Sequence, residues 1–482
     1  MVFTILPMRA LAEDINANET ETGYGSNGKF IAPIETPVAG SIPISNRGEL
    51  EAIANDLNAN YHLTQDIDLS GKEWTPIGDN CTDSDASRFT GTFDGQGHVI
   101  SNLTITGGYK YAGLFGYASG AVIKNVGLED TSINVIQSPS QPEVAYVGGI
   151  CGRSTAFVSN CYNTGSISSS TELYYDAFAG GICGYSTYNS SCSISNCFNT
   201  AAISSASSSS WSFAYAGGIC GVSSCSISNC YNTGGISSSS SSSSYAYAGG
   251  ICGFAELADS FGSYNINDCY NTGVILSSTS SYYSAYSGGI CGASADSASI
   301  SNCCNTGAIF SSSLLSSSRV AYAGGICGLS ASFVSHCYNT GAISSFSSSD
   351  SYSAIAGGIC GASDSFYGTG IIGNCYNAGV ILSSSSLYKA YAGGICGACY
   401  NFIINCYNTS SISSSASSSS YTGGICGFAS AALDSCSINS CYNTGDISSS
   451  SSLDEVNAGG ICGHYADSYY AYFTIINSYW RL

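Results

Sequence analysis

The chain has 482 residues, only 9% of them charged, and its 31 acidic against 11 basic side chains leave a net charge of −20. A surplus of that sign repels nucleic-acid phosphates and anionic lipid, which argues against both as partners. No run of 18 or more apolar residues occurs, so nothing in the sequence reads as a membrane-spanning helix.

Residues 1–12 read as the end of a secretory signal peptide: a short apolar run precedes Ala10-Leu11-Ala12, with cleavage expected after Ala12. The basic n-region is missing, as a late start codon or a truncated gene would make it. Residues 13–44 carry Pro33, Pro37 and Pro43 among Asn, Glu and Gly and read as a linker. From 45 to 142 the pattern predicts an N-terminal cap and first irregular coils. Asn46-Arg47-Gly48-Glu49 is a capping box, and Leu50, Ile53, Ala54 and Leu57 follow at helical spacing, predicting one short amphipathic helix laid over the end of the fold. Tyr61 to Leu69 alternates as a strand does, and Gly95 and Gly97 allow a tight turn between strands in the stretch 89–100. All seven prolines lie at or before Pro142, as expected if later segments donate their N–H groups to a ladder.

From residue 143 to 482 a repeat takes over. Gly-Gly-Ile-Cys-Gly recurs with Cys151, Cys183, Cys220, Cys252, Cys291, Cys327, Cys360, Cys396, Cys426 and Cys462, spaced 30 to 39 residues apart. A second signature, such as Asp268-Cys269-Tyr270-Asn271-Thr272-Gly273, follows each of the first nine. Gly-Gly pairs, Asn-Thr-Gly and Ser runs interrupt every unit, which excludes helical repeats and leaves short strands. A unit this short buries no core alone, so successive units must stack. The reading is an all-β parallel β-helix of about ten coils, each of about three short strands, roughly 50 Å long at one strand spacing per coil. A propeller fits less well, since a blade needs four strands. From the first Cys of each unit to the second the gap varies from 10 to 17 residues, whereas from there to the next unit it stays within 20 to 24. The variable loop is therefore external.

Nineteen of the 25 cysteines fall in these two columns, with Cys81, Cys192, Cys225, Cys304, Cys399 and Cys436 outside them. Cysteine behaves as a small buried hydrophobe, so internal ladders of mostly reduced thiols are expected rather than a staple system. Cys396-Gly397-Ala398-Cys399 has no partner pair or nearby His, so neither zinc nor any cofactor is expected. Asn163, Asn199, Asn232, Asn271, Asn305, Asn339, Asn377, Asn408 and Asn443 recur after the second Cys. Asn tolerates the left-handed conformation and can bond its counterpart one coil on, which predicts a turn-locking Asn ladder. The preceding Tyr, as in Tyr162, Tyr231 and Tyr338, is expected to form a stacked aromatic column. The Ser-rich stretches, purest over 237–244, have little apolar surface and are expected to be loosely paired solvent segments on one side of the rod. Ser478 replaces the column Cys near the end, where Trp480 is placed to cover the last coil.

These units resemble the GLUG-motif repeats of bacterial surface and secreted proteins, and residues 45–130, with Phe93-Asp94-Gly95-Gln96-Gly97 and Leu114-Phe115-Gly116, are similar to the segment that often precedes them. The resemblance implies a right-handed parallel β-helix at the cell surface, often linked to adhesion. Immunoglobulin A1 metalloproteases carry such a region before a zinc peptidase domain. His62, His98, His336 and His464 form no His-Glu-x-x-His, so that activity is not carried over.

Parallel β-helices also host polysaccharide lyases and hydrolases, whose chemistry needs carboxylates or an acid–base pair converging on one face. After residue 143 the basic residues are only Arg153, Arg319, Lys389 and Arg481, and acids such as Asp268, Asp364 and Asp446 are scattered. Asp66, Asp68 and Asp94 are the best cluster and suit turn chemistry. Asp79, Asp83 and Asp85 suit a solvated loop better than a calcium site. The expectation is a secreted or surface-exposed scaffold without enzymatic activity, adhering to glycans or to host and neighbouring cell surfaces. A polysaccharide-active enzyme is the alternative, and a passive stalk or fragment of a larger surface protein the second.

Overall fold

The computed structural model describes residues 36–481 except 79–86, 138–143, 257–263, 364–369, 431–435, 467–472 and the shorter segments 173, 189–191, 210, 242–243, 281, 296–297 and 316–317. The proposed signal peptide and most of the linker lie outside them, as do Asp79, Asp83, Asp85, Cys81 and Asp364.

The described chain is a parallel β-solenoid. Each regular coil carries five short strands, not three. In a central coil these are the Ala strand Ala246–Gly249, the Cys strand Cys252–Ala255, the Ile strand Asn265–Asn267, the Tyr-Asn strand Tyr270–Asn271 and the Ser strand Ile275–Thr279. Each pairs in parallel with its counterpart one coil on, like residue opposite like: Ala246 with Ala285, Cys252 with Cys291, Ile266 with Ile300, Asn271 with Asn305 and Ile275 with Ile309. The Ala and Cys columns form eleven-stranded sheets, and the Ile column extends to fourteen strands through the N-terminal coils.

The corners explain the extra strands. A β-carbon on Gly249 would lie 1.9 Å from the carbonyl oxygen of Cys252, and one on Gly250 would lie 2.1 Å from that of Gly289. Only glycine lets the chain turn there between the Ala and Cys strands. A second corner follows the Ile strand, where Asn160, Asn196, Asn229, Asp268, Asn302, His336, Asn374, Asn405 and Ser440 all adopt φ near +50°. The left-handed turn therefore sits three residues before the ladder Asn. The ladder Asn is itself in a strand, with its side chain inside.

Inward positions build one continuous core. Ala248, Ile251, Cys252, Ile266, Cys269 and Ile275 are fully buried in it, with counterparts in neighbouring coils. Each buried Ile side chain contributes about 1.5–3 kcal/mol relative to exposure.

The Ser-rich stretches are not loose. Ser237, Ser238, Ser239 and Ser240 belong to a strand, Ile236–Ser240, with Ser238 and Ser240 buried. The inward hydroxyls donate across the interior to carbonyls of the Ala strand: Ser205 to Ala177 at 2.8 Å, Ser238 to Ala214 at 2.9 Å, Ser277 to Ala246 at 2.9 Å and Ser345 to Ala321 at 2.8 Å. A buried hydroxyl with a partner costs little, so Ser fills a β position that composition alone assigns to solvent.

At the N-terminal end a short helix, Arg47–Glu51, runs on into a single 3₁₀ turn, Ala52–Asn55. Asn46 Oδ1 accepts the Glu49 N–H at 3.0 Å, and Glu49 reaches back to the Ser45 N–H at 2.7 Å. Leu50 and Ile53 join the core, whereas Ala54 faces out. Ile42–Ile44, which the sequence places in the linker, is the outermost strand of the Ile sheet, an edge position where the missing N–H of Pro43 does no harm.

Ser238→Ala should lower stability by about 1 kcal/mol, and Ser237→Ala, on the outward face of the same strand, should stay within about 0.5 kcal/mol, as read by urea denaturation of the two variants. Equal effects would contradict the buried-hydroxyl assignment.

Candidate functional site: ladders, aromatic ridge and serine cleft

The conserved-looking columns of the repeat point inward. Asn271 spends all its bonding capacity: Nδ2 donates to Gly273 O at 2.9 Å and Asn305 Oδ1 at 2.8 Å, while Oδ1 accepts from Asn232 Nδ2 at 2.8 Å and the Gly273 N–H at 3.2 Å. The chain of amides runs from Asn199 through Asn232, Asn271, Asn305, Asn339, Asn377 and Asn408 to Asn443, with steps of 2.7 to 2.9 Å, and Asn163 joins at 3.5 Å. Asn163 opens the ladder opposite Leu128, and its Oδ1 is buried without a hydrogen-bond partner. At the other end Trp480 takes the Asn position opposite Asn443.

Cys151, Cys183, Cys220, Cys252, Cys291, Cys327, Cys360, Cys396 and Cys426 are buried free thiols, and Cys462 in the last coil is half-buried. Burial pushes thiols such as Cys220 and Cys230 well above their ordinary range, which makes them unreactive packing groups. Cys192 and Cys225, outside the columns, form a disulfide between adjacent coils. Among the described residues no group of three or more His, Cys, Asp or Glu is arranged to hold a metal.

The acidic cluster of the first coils is held by local bonds. Asp66 bonds the His98 ring and the Val99 N–H, Asp68 bonds Ser70 and Asn102, and buried Asp94 bonds Gln96 and Asn125 beside Lys124.

Outward positions differ from coil to coil. The Tyr-Asn column stacks Tyr162, Phe198, Tyr231 and Tyr270 at 4.6 to 4.9 Å between ring centroids. A second stack on the Ala strand takes Phe178, Tyr215, Tyr247, Tyr286 and Tyr322 at 4.8 to 5.0 Å. Arg153 lies over Tyr117, Tyr146 and Tyr185 in the same region. Within these stacks each ring covers its neighbour's face, and Tyr162, Phe198, Phe178 and Tyr286 are buried, so the stacks offer little ring surface to a ligand.

The turn from the Ser strand to the Ala strand is different. Tyr174, Trp211 and Tyr282 each stand three residues before the first buried Ala of the Ala strand, and they are 69%, 71% and 60% exposed. Trp211 has φ +68°, a conformation that costs a bulky residue energy and is retained where the surroundings enforce it. Its ring meets Tyr283 edge-on at 6.0 Å, Tyr283 meets Tyr245 at 4.5 Å, and Arg319 lies 5.4 Å above Tyr283. Beside this ridge, along the outer ends of the Ser strands, runs an open cleft of about 310 Å³ lined by Ser170, Glu172, Ser208, Ser241, Ser280 and Leu314. Exposed ring faces next to a row of hydroxyls suit a ligand with apolar C–H faces and many hydroxyls of its own. The aligned position three residues before the Ala strand is the sequence signal for this ridge, visible once units are stacked on the buried Ala.

Under the ridge, Asp176 Oδ1 accepts the Phe213 N–H at 2.7 Å. Burial pushes its carboxyl up to about 6, against the lowering effect of that bond and with a further push from Glu256. Glu256 in turn accepts from the Tyr185 hydroxyl at 2.7 Å.

No family model matches the chain. It is 33% identical over 181 residues to Halomucin of Haloquadratum walsbyi, covering 35% of this chain and 2% of that protein. It is 34% identical over 128 residues to a protein designated Gly-rich membrane protein from Evansella cellulosilytica, covering 24% of this chain and 14% of the relative. The matched stretch thus spans a small part of either relative's length. Among solved structures, one titled as an immunoglobulin A1 protease from Bacteroides ovatus aligns at 21% identity with a TM-score of 0.41, covering 66% of this chain and 78% of that one. Among the described residues no helix is long and apolar enough to cross a membrane.

The folded pKa of Asp176 lies above its unfolded value, so the native state binds the extra proton between about pH 4 and 6 and its stability falls as pH rises through that window. Thermal melts of Asp176→Asn against wild type should show the variant losing that part of the slope; parallel pH profiles would contradict the assignment.

Proposed function

We propose that this chain is a secreted or cell-surface repeat scaffold of the GLUG type that holds a glycan on the ridge of Tyr174, Trp211 and Tyr282 and so adheres to a host or neighbouring cell. The observation that carries this reading is the ridge itself: three aromatic rings more than half exposed, at one aligned turn position, beside a cleft of serine hydroxyls. Large exposed aromatic groups on a polar molecule mark interaction sites, and rigid ring faces with adaptable hydroxyls bind sugars at small entropic cost.

The extracellular setting is supported by the Cys192–Cys225 disulfide, which persists in oxidising compartments. The membrane designation of the Evansella relative accords with a surface location. A non-catalytic role is supported by the bonding of Asp66, Asp68 and Asp94 into local turns.

On a glycan array and in cell-binding assays the wild-type chain should bind, and Trp211→Ala combined with Tyr282→Ala should weaken binding at least about tenfold without changing the melting curve. Undiminished binding in the double variant would move the site off the ridge. Failure of the wild type to bind any glycan or cell would leave a passive stalk, and release of oligosaccharides would make it an enzyme.

A further inference from the structure

The loop between the Cys strand and the Ile strand carries a side-chain contact that recurs between adjacent coils. The last residue of a Cys strand packs diagonally against the residue that opens the Ile-strand segment of the next coil. Ser186 Oγ lies 3.2 Å from Cys225 Sγ, Ser294 Oγ lies 2.8 Å from Ser332 Oγ, and Ser363 Oγ accepts from Asn401 Nδ2 at 3.0 Å.

Cys399 ends the next Cys strand, paired in register with Ser363. Cys436 stands at the position equivalent to Asn401 one coil on, because Phe402 pairs with Ser437. Their diagonal contact therefore brings two sulfurs together where other coils place two hydrogen-bonding groups. Both side chains are fully buried, and Cys436 Sγ lies 3.9 Å from the Cys399 carbonyl oxygen. The position that opens the Ile-strand segment, which Cys436 occupies, already carries a cross-link in two adjacent coils, where Cys192 and Cys225 stand.

We propose that Cys399 and Cys436 form a second disulfide between adjacent coils when the chain folds in an oxidising compartment. The two thiols give up two protons and two electrons. A disulfide oxidant such as oxidised glutathione takes both electrons, its S–S bond breaks as the protein's forms, and it leaves as two thiols. The link would join the coils that begin at Cys396 and Cys426, far along the rod from the Cys192–Cys225 bond.

The test is disulfide mapping of the full chain folded with oxidised glutathione, quenched in acid, alkylated under denaturing conditions and digested for mass spectrometry. The expected result is a Cys399–Cys436 linked peptide alongside the Cys192–Cys225 one, lost on reduction, with two fewer alkylatable thiols than a single-disulfide chain shows. In Cys399→Ser, Cys436 should become alkylated, and Cys192→Ser should leave the Cys399–Cys436 peptide in place. Full alkylation of both residues in the oxidised wild type, or linkage of Cys399 to Cys396 or Cys426, would overturn the proposal. The wild-type map decides the question even if a variant fails to fold.

Discussion

The structure depends on one constraint: every side chain faces its own counterpart one strand spacing away. Like-on-like stacking is favourable only for groups that attract themselves or fit themselves. Amides can donate and accept in series, as Asn199 to Asn443 do. Aromatic rings can stack in offset, as Tyr247 does on Tyr286. Ile, Ala and Cys simply pack. Charges cannot be repeated in this way, because like charges at that separation repel. The low charged fraction of the chain follows from this rule, and the few basic residues of the coils are spent singly on tyrosine faces, as with Arg153 and Arg319.

The same constraint explains which parts of the molecule could be read from sequence. The Gly-Gly-Ile-Cys and Asn-Cys-Tyr-Asn signatures are inward or corner residues, repeated because every coil needs them, and they led directly to stacked parallel coils. The number of strands per coil was not legible, because a two-residue strand such as Tyr270–Asn271 has no periodicity of its own. The left-handed corner falls on Asp268 and its equivalents, not on the ladder Asn: Asp and Asn both suit the conformation, and only the interior bonds of Asn271 separate them. Ser238 and its relatives were misplaced for a related reason. Serine has little strand preference, and the carbonyl that satisfies each buried hydroxyl comes from the Ala strand, some 24 residues from Ser238 in sequence.

The candidate site was harder to see because it breaks the repetition. Tyr174, Trp211 and Tyr282 are aromatic at an aligned position that other coils fill with Ser318, Ser351, Leu387 or Leu453. Ladder residues repeat because the fold requires them, whereas ridge residues vary because the fold does not. The Cys192–Cys225 pair obeys the same logic, for it lies outside both cysteine columns. Function in a solenoid is thus to be sought in the exceptions to its repeat.

The direction of the hydrogen bonds has a mechanical consequence. Every inter-coil backbone bond, including the paired Ile251 and Cys252 N–H groups that share the Ile290 carbonyl, runs from one coil to the next along the length of the rod. Tension applied between the chain ends pulls along these bonds, so it loads the outermost strand first and opens the bonds of a coil in sequence. A terminal coil therefore peels strand by strand from its free end. A covalent bond between two coils, such as Cys192–Cys225, carries the tension across itself and so shields the stretch of chain between its two cysteines from the pull.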